Sequence, residues 1–351
     1  MNKNNYVSPA PHLHDKGSIS KVMWQVVIAL LPALAVAVYF FGINALLLTV
    51  YGIITAVLTE FIIQKLRGVE ITISDGSAVV TGMLVAFNIH AASPWWLPVA
   101  GAFFAIAIGK QVFGGLGHNP FNPALLARAF MVASWPTLTT SGWIKPRFAA
   151  STLNGLTNLP QNVPEFITKA TPLGVAKALR DTTQVSEEMA DTVMNKLATF
   201  DTIQNVFWGN IGGVIGEVSA AMLLLGAAYL ALKHIIEWRI PVSYILTVFI
   251  LIFAFGGING FCSASILLPV FHIFAGGLIL GAFFMATDMV TSPVTKKGRI
   301  YFGIGCGILT VMIRLKGGYP EGVSYSILIM NMFVPLIDKL TVPKIFGEVK
   351  K

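Results

Sequence analysis

Long apolar stretches recur along this chain of 351 residues, and they constrain its fold more than any other feature. Only 11% of the residues are charged, whereas a soluble domain carries about 25%. We count ten stretches that are long enough, or nearly so, to cross a bilayer. They lie at about 22–41, 43–64, 76–90, 95–113, 121–136, 212–233, 241–256, 266–286, 300–315 and 322–338. The sequence therefore predicts an all-α polytopic membrane protein with about ten transmembrane helices.

The short loops predict the orientation of these spans. If ten spans alternate, the basic residues gather on one side, as at Lys65 and Arg67 or at Lys296, and the opposing short loops carry almost none. Arg314 and Lys316 are the exceptions. By the positive-inside rule, we expect both termini to be cytoplasmic in a multi-pass protein of a prokaryotic inner membrane.

One long polar segment divides the predicted spans into two sets of five. Each half contains a broken, proline-bearing stretch, His118–Pro123 in the first and Asp288–Pro293 in the second. An odd number of spans per half places the halves in opposite orientations, as in inverted-repeat transporters. The predicted regions are a cytoplasmic segment 1–21, a repeat 22–136, an external loop 137–211, a repeat 212–338 and a cytoplasmic tail 339–351.

Charge and cysteine content exclude two other classes of protein. The net charge of +8 is not concentrated in a basic run with interleaved aromatics, so we expect no nucleic-acid partner. The two cysteines, Cys262 and Cys306, lie far apart and cannot form a four-cysteine iron–sulfur site. A disulfide between them is not expected, and neither is a metal site at His90 or His272, which lack suitably spaced partners.

Charged residues inside the predicted spans need a structural or functional reason, because each costs at least a few kcal/mol at the bilayer centre. They are Glu60, Lys110, Arg128, Glu217 and Asp288. Lys110, Arg128 and Asp288 either pair or reach water near the cytoplasmic face, or they serve a function. Glu217 follows a glycine cluster and is either an ion-path carboxylate or a structural acceptor.

Two short motifs have helix-starting signals. Asn119-Pro-Phe-Asn-Pro123 can begin a half-helix inside the protein, whose amides either face a polar ligand or only pack. Thr171 precedes Pro172 and is typical of an N-cap, with a helix expected through Arg180. A threonine hydroxyl in an external loop can alternatively be esterified to a phosphate.

Beyond these patterns, the chain resembles a known family along nearly its whole length. The family contains the RnfD subunit of the Rnf complex, a ferredoxin:NAD oxidoreductase that pumps sodium ions or protons, and the NqrB subunit of the sodium-pumping NADH:quinone oxidoreductase. The motifs that carry the resemblance are Ser8-Pro-Ala-Pro-His12, Ser74-Asp-Gly-Ser77, Thr81-Gly82, Phe113-Gly-Gly-Leu-Gly-His-Asn-Pro-Phe-Asn-Pro-Ala124, Ala170-Thr171-Pro172-Leu173, Gly213–Ser219, Trp238-Arg-Ile-Pro241, Ala286-Thr-Asp-Met-Val-Thr-Ser-Pro-Val294 and Tyr319-Pro-Glu-Gly322. The short segment before the first span fits the Rnf member of the family better.

The resemblance implies a flavin. It places FMN on Thr171 through a phosphoester bond, made outside the cytoplasm by a flavin transferase, although Thr168 and Lys169 stand where the family usually has Ser and Gly. It also implies a urea-transporter-like fold, a second, noncovalent flavin such as riboflavin, and the Rnf partners RnfA, RnfB, RnfC, RnfE and RnfG. Electrons would reach this flavin from FMN on RnfG.

Several residues could support that chemistry. Lys177 and Arg180 follow Thr171 closely and could stabilise the FMN phosphate or the anionic reduced flavin. Glu217 and Asp288 are the residues that we would test first for ion coupling. Two rival classes remain open: a channel or carrier for a small polar solute, and a purely structural anchor for partner subunits.

Overall fold

The computed structural model describes residues 18–140, 143, 171–181, 197–256, 265–318 and 321–342. These residues are mainly helical and contain no β-strand, only an isolated bridge between His90 and Val214. We number the helices α1 (Ile19–Phe41), α2 (Ile43–Arg67), α3 (Ser77–Phe87), α4 (Trp96–Ile106), α5 (Pro123–Ser134), α6 (Pro136–Thr140), α7 (Pro172–Asp181), α8 (Phe200–Trp208), α9 (Ala220–Leu232), α10 (Arg239–Phe255), α11 (Leu267–Phe274), α12 (Leu278–Leu280), α13 (Lys296–Lys316) and α14 (Val323–Leu340).

Helices of very different lengths occupy the predicted spans. Within the described residues, α1, α2, α13 and α14 are long and apolar enough to cross a membrane. The bent pair of Leu267–Phe274 and Leu278–Met285, at 66°, makes a fifth if it counts as one span. Other helices are shorter; α3 has 11 residues, which gives it about half of the roughly 30 Å that a bilayer requires. All ten predicted apolar stretches contain helix, but the count of ten spans stays a prediction.

Two helices continue into single wide turns before the chain breaks. Helix α4 runs into a π-helical turn at Ala107–Gln111, and α12 into another at Gly281–Met285. Each turn precedes one of the proline-bearing motifs. Such turns interrupt the regular hydrogen-bond ladder and are frequent at functional sites.

The predicted half-helix at the Asn-Pro motif is confirmed. Asn122 is the N-cap of α5: its Oδ1 accepts hydrogen bonds from the amides of Ala124 at 3.0 Å and Leu125 at 3.3 Å, and Pro123 is the first helical residue. The Asn122 side chain also donates to the carbonyl of Met285, at 3.2 Å. The motif therefore joins the two predicted halves as well as starting a helix.

Close backbone contact holds α2 against α3. A Cβ atom at Gly82 would lie 2.6 Å from the carbonyl oxygen of Gly52, and one at Gly52 would lie 2.8 Å from the carbonyl oxygen of Gly82. Without a hydrophobic driving force between helices in lipid, small residues of this kind allow the packing that holds them together.

We predict that Gly82→Ala destabilises the protein by about 1–3 kcal/mol, because the new methyl group overlaps backbone that cannot move independently. Thermal unfolding in detergent or nanodiscs measures the effect. Gly318→Ala is the control, since nothing lies within 4 Å of its Cβ position. Equal melting temperatures for the two variants would contradict the packing described for α2 and α3.

Candidate functional site

Thr171 lies at the start of a helix, as the sequence predicts. Helix α7 spans Pro172–Asp181, and the Thr171 Oγ1 accepts a hydrogen bond from the Gly174 amide at 3.1 Å. The Val175 amide donates to the Thr171 carbonyl at 2.8 Å. Thr171 is therefore the N-cap, with its hydroxyl at the positive end of the helix dipole. Thr168 and Lys169 lie outside the described residues.

Helix α7 is held in place by its apolar side. Leu173, Val175 and Ala176 are buried in a hydrophobic cluster with Phe271 and Ala275 of the α11 region. The cluster is separate from the main core of the protein. This packing fixes the position of Thr171 relative to the point where α11 ends.

Thr171 lines a small cavity of about 30 Å³. The carboxyl-bearing residues on its wall are Glu217 and Glu321, and the break between α11 and α12 contributes Ala275 and Gly276. We call this cavity the Thr171 pocket. It brings together Thr171 and Glu217, which are far apart in the sequence.

Two buried arginines lie behind the Thr171 pocket. Arg128 of α5 forms an ion pair with Glu321, Nη2 to Oε2 at 3.1 Å, and also donates to the carbonyl of Asn88. Arg314 of α13 donates from Nε to the Glu321 carbonyl at 3.1 Å and from Nη2 to the Ala275 carbonyl at 3.2 Å. Glu321 is therefore bonded to both arginines.

These arginines compensate for two helices that end inside the protein. Asn88 follows α3, and Ala275 follows α11, so each arginine binds carbonyl oxygens that have no partner in their own helix. Backbone carbonyl groups at membrane depth need hydrogen-bond donors from the protein, because no water is available there. Each guanidinium supplies five donors and always keeps its charge.

The locations of Arg314 and Arg128 bear on how the sequence interpreted these two charges. Arg314 is 3% exposed, so its exception to the loop-charge pattern has a physical reason: it is a buried structural cation and not a loop charge. Arg128 forms an ion pair with Glu321, and pairing is one of the alternatives that the sequence left open for it. Its expected place near the cytoplasmic face stays a prediction, and its partner Glu321 lines the same pocket as Thr171.

Glu217 lies against the backbone at the α11–α12 break. Its Oε1 is 2.7 Å from the position of a Cβ on Gly277, and its carboxylate interacts electrostatically with Arg128, Arg314 and Glu321. Glu217 ends a short 3-10 turn, Ile215–Glu217, whose Gly216 packs against Phe87. Gly216 of the glycine cluster before α9 thus allows close packing.

A second buried ion pair lies elsewhere. Lys110 contacts both carboxylate oxygens of Glu60, at 2.7 and 2.9 Å, and the Ser77 hydroxyl at 2.6 Å. Gln64 and Gln111 also donate to Glu60, each at 3.1 Å. Glu60 and Lys110 are therefore compensated by each other and by neighbouring polar groups.

Lys110 and Ser77 also line a larger cavity, of about 100 Å³, together with Asn119, Asn122 and Asp288. Asp288 accepts hydrogen bonds from the Val290 amide at 3.3 Å and from the Thr291 hydroxyl at 3.1 Å, so its carboxylate stabilises a local turn. Asp288 and Glu217 line different cavities, and the structure does not bring them together.

The remaining predicted residues have less distinctive surroundings. Lys177 is half-buried and is not among the residues that line the Thr171 pocket, and the side chain of Arg180 lies outside the described part of the molecule. The Nε2 atom of His90 donates to the Leu138 carbonyl oxygen, 2.8 Å away, and His272 is packed beside Phe271. Sequence reasoning missed the link between Arg128, Arg314 and Glu321. The available signals were the charge of Arg128 inside a predicted span and the exception of Arg314 to the loop-charge pattern.

The helices and the buried charges define a multi-pass helical membrane protein with a compact ionic centre. The model of the NQR2, RnfD, RnfE family matches residues 6–347, and the chain belongs to that family. It is 46% identical to the D subunit of the Na(+)-translocating ferredoxin:NAD(+) oxidoreductase complex of Acetobacterium woodii, over 100% of this chain and 98% of that protein.

Other relatives differ in the ion that their names specify. The D subunit of the proton-translocating ferredoxin:NAD(+) oxidoreductase complex of Clostridium ljungdahlii is also 46% identical, over 97% of this chain and 96% of its own. The D subunit of the ion-translocating oxidoreductase complex of Aliivibrio salmonicida is 36% identical over 98% and 99%. Equal identity to a sodium-linked and a proton-linked protein does not favour either ion.

We predict that Glu60→Gln destabilises the protein by about 3–5 kcal/mol, because it leaves the Lys110 charge buried without a counter-ion. Chemical or thermal unfolding in nanodiscs measures the loss. Glu237→Gln is the control: Glu237 pairs with Arg299 at 3.0 Å but is 30% exposed, so we expect about 1 kcal/mol or less. A similar loss for both variants would contradict the role of burial.

Proposed function

We propose that this chain is the RnfD-type membrane subunit of an ion-translocating ferredoxin:NAD+ oxidoreductase complex, in which it relays electrons through an FMN esterified to Thr171. The names of its relatives support the complex, and the resemblance of the Ala170-Thr171-Pro172-Leu173 motif supports the cofactor. The single observation that carries the proposal is the position of Thr171, at a helix start and on the wall of a pocket.

The surroundings of Thr171 suit a phosphoester. The Oγ1 that would carry the phosphate already accepts a hydrogen bond from the Gly174 amide, and an ester oxygen can still accept one. The start of α7 favours an anion, because free amides and the helix dipole both face it. The packing of Leu173 and Val175 fixes that helix start, which would hold the cofactor near the α11–α12 break.

The flavin supplies one-electron chemistry when bound, and the protein supplies position and electrostatics. Thr171 anchors the group, and Arg128 and Arg314 place fixed positive charge behind the pocket. The second, noncovalent flavin that the resemblance implies belongs to the same proposal, and no residue is assigned to it.

We further propose ten spans in two inverted sets of five, in the inner membrane, with both termini cytoplasmic and Thr171 outside. Two observations support the repeat: α3 and α11, the third helices of their halves, both end inside the protein, and both ends are tied to Glu321 through an arginine. The partners RnfA, RnfB, RnfC, RnfE and RnfG follow from the assignment to the complex, with RnfG closest to Thr171.

Ion coupling is proposed to involve Glu217 and Asp288, which line the two separate cavities. Glu217 shares its cavity with Thr171, so a change of charge in that pocket would act on the Glu217 carboxylate at short range. Asp288 lies on the larger cavity with Lys110, and would act at the other end of the path.

We predict that Thr171→Ala abolishes covalent flavin binding, because no hydroxyl remains to form the ester. The full chain, produced together with its flavin transferase, should give a fluorescent band on a denaturing gel, and the variant a dark one. Thr140→Ala is the control, since Thr140 is exposed and its hydroxyl donates to the Pro136 carbonyl at 2.7 Å. It should fluoresce like the wild type.

The same gel, together with an assay of electron transfer, separates the rival functions. A dark wild-type band would reject the flavin and favour a carrier for a small polar solute. If Thr171→Ala removes the flavin but leaves electron transfer through the assembled complex unchanged, the chain is a structural anchor.

For Lys177 we predict that Lys177→Ala lowers the flavin reduction potential or its covalent loading, because a positive charge near the FMN phosphate is lost. Redox titration of the loaded protein and gel fluorescence measure the two quantities. Lys316→Ala, which removes an exposed lysine elsewhere, is the control. Unchanged potential and loading in Lys177→Ala would reject this role.

A further inference from the structure

The inference concerns the larger cavity, which Asn119 and Asp288 line, and it rests on the ion coupling in the proposed function. The cavity measures about 100 Å³, and because one water molecule takes roughly 30 Å³ it has room for about three. A pocket for a cofactor-sized ligand needs about 300 Å³ or more. The volume therefore suits a small ion with part of its hydration shell.

Asn119 offers this cavity an acceptor that the protein does not use. Its Nδ2 donates to the Phe121 carbonyl at 3.0 Å, which fixes the orientation of the amide. Its Oδ1 has no hydrogen-bond partner among the described residues, although Asn119 is only 5% exposed. A buried acceptor of this kind is costly unless water or an ion binds it. A ligand in the cavity can bind the Asn119 Oδ1.

Two threonines on the cavity wall also present oxygen lone pairs. The Thr81 hydroxyl donates its proton to the Ser77 carbonyl at 2.9 Å, and the Thr287 hydroxyl donates to the Phe283 carbonyl at 2.6 Å. A hydroxyl group that donates within its own helix keeps two lone pairs on its oxygen. Both threonines can therefore bind a ligand as acceptors.

The donors on the same wall are directed at protein groups. Lys110 has three N–H groups, and it contacts the two carboxylate oxygens of Glu60 at 2.7 and 2.9 Å and the Ser77 hydroxyl at 2.6 Å. Glu60 also compensates the Lys110 charge. The Asn122 Nδ2 donates to the Met285 carbonyl at 3.2 Å. Acceptor oxygens are thus the polar atoms left for a ligand.

Asp288 gives the cavity its uncompensated charge. Its carboxylate accepts hydrogen bonds from Val290 and Thr291, and within the described part of the chain no basic side chain pairs with it. Asp288 also follows the π-helical turn at Gly281–Met285, and the C-terminal end of a helix favours cations. One carboxylate among neutral oxygens suits a monovalent cation.

We infer that the larger cavity binds a monovalent cation of the size of Na⁺. Its ligands are the Asp288 carboxylate, the Asn119 Oδ1 and the hydroxyl oxygens of Thr81 and Thr287, with water at the remaining positions. Hard cations prefer oxygen ligands of these kinds. The ligands come from both proline-bearing motifs, and broken helices of this type supply coupling-ion sites in transporters.

The test is equilibrium binding of radioactive Na⁺ to the full chain in detergent, with choline chloride keeping the ionic strength constant. The wild type should bind Na⁺ saturably. Asp288→Asn keeps the side-chain shape but loses the charge, and should weaken binding at least about tenfold. Thr81→Val loses only the hydroxyl oxygen, and should weaken binding roughly threefold to tenfold. Asp201→Asn, at an exposed position of α8, is the control and should bind like the wild type.

Absence of saturable Na⁺ binding by the folded wild type would overturn the inference. An unchanged affinity in Asp288→Asn would also overturn it, as would an equal loss in Asp201→Asn, which would indicate nonspecific attraction. If Asp288→Asn does not fold, an unchanged affinity in Thr81→Val overturns the inference instead.

Flavin fluorescence on a denaturing gel, measured on the same preparations, separates this site from the proposed cofactor. A dark wild type that binds Na⁺ would reject the FMN and support the cation site. A fluorescent wild type that does not bind Na⁺ would reject the cation site and leave the FMN in place.

Discussion

The structure depends on satisfying backbone carbonyls where helices end inside the protein. In a membrane no water is available to bind them, so each exposed carbonyl group would cost several kcal/mol. Arg128 and Arg314 meet this need at the ends of α3 and α11, and Glu321 holds both. The two arginines in turn bring positive charge to buried positions, and both contact residues that line the Thr171 pocket.

A helix that ends inside the protein needs donors for its last carbonyl groups, and a buried guanidinium supplies several of them. Thr171 is brought to the centre by α7, whose apolar side packs on α11 beside the break at Gly276. The second ionic site, Lys110 with Glu60, is paired and surrounded by polar groups.

Local sequence signals predicted much of the fold. Apolar runs located the helices, the Asn-Pro motif located the start of α5, and Thr171 with Pro172 located the start of α7.

The contact of Arg128 with Glu321 was not predictable, because 193 residues separate them and no periodic pattern connects them. The depth of Arg128 in a membrane is hard to predict for a related reason: position within an apolar stretch indicates depth only for a straight helix that crosses completely, and α5 begins at a break within the protein. The number of spans illustrates the same limit, since hydropathy cannot distinguish a full crossing from a half-helix such as α3.

The central claim, that Thr171 carries the redox group, is tested most directly by peptide mass spectrometry on the full chain produced with its flavin transferase. The account predicts that the peptide containing Thr171 carries the mass of FMN less one water, and that fragmentation places it on Thr171. An unmodified Thr171 peptide, or FMN on a different residue, would contradict it.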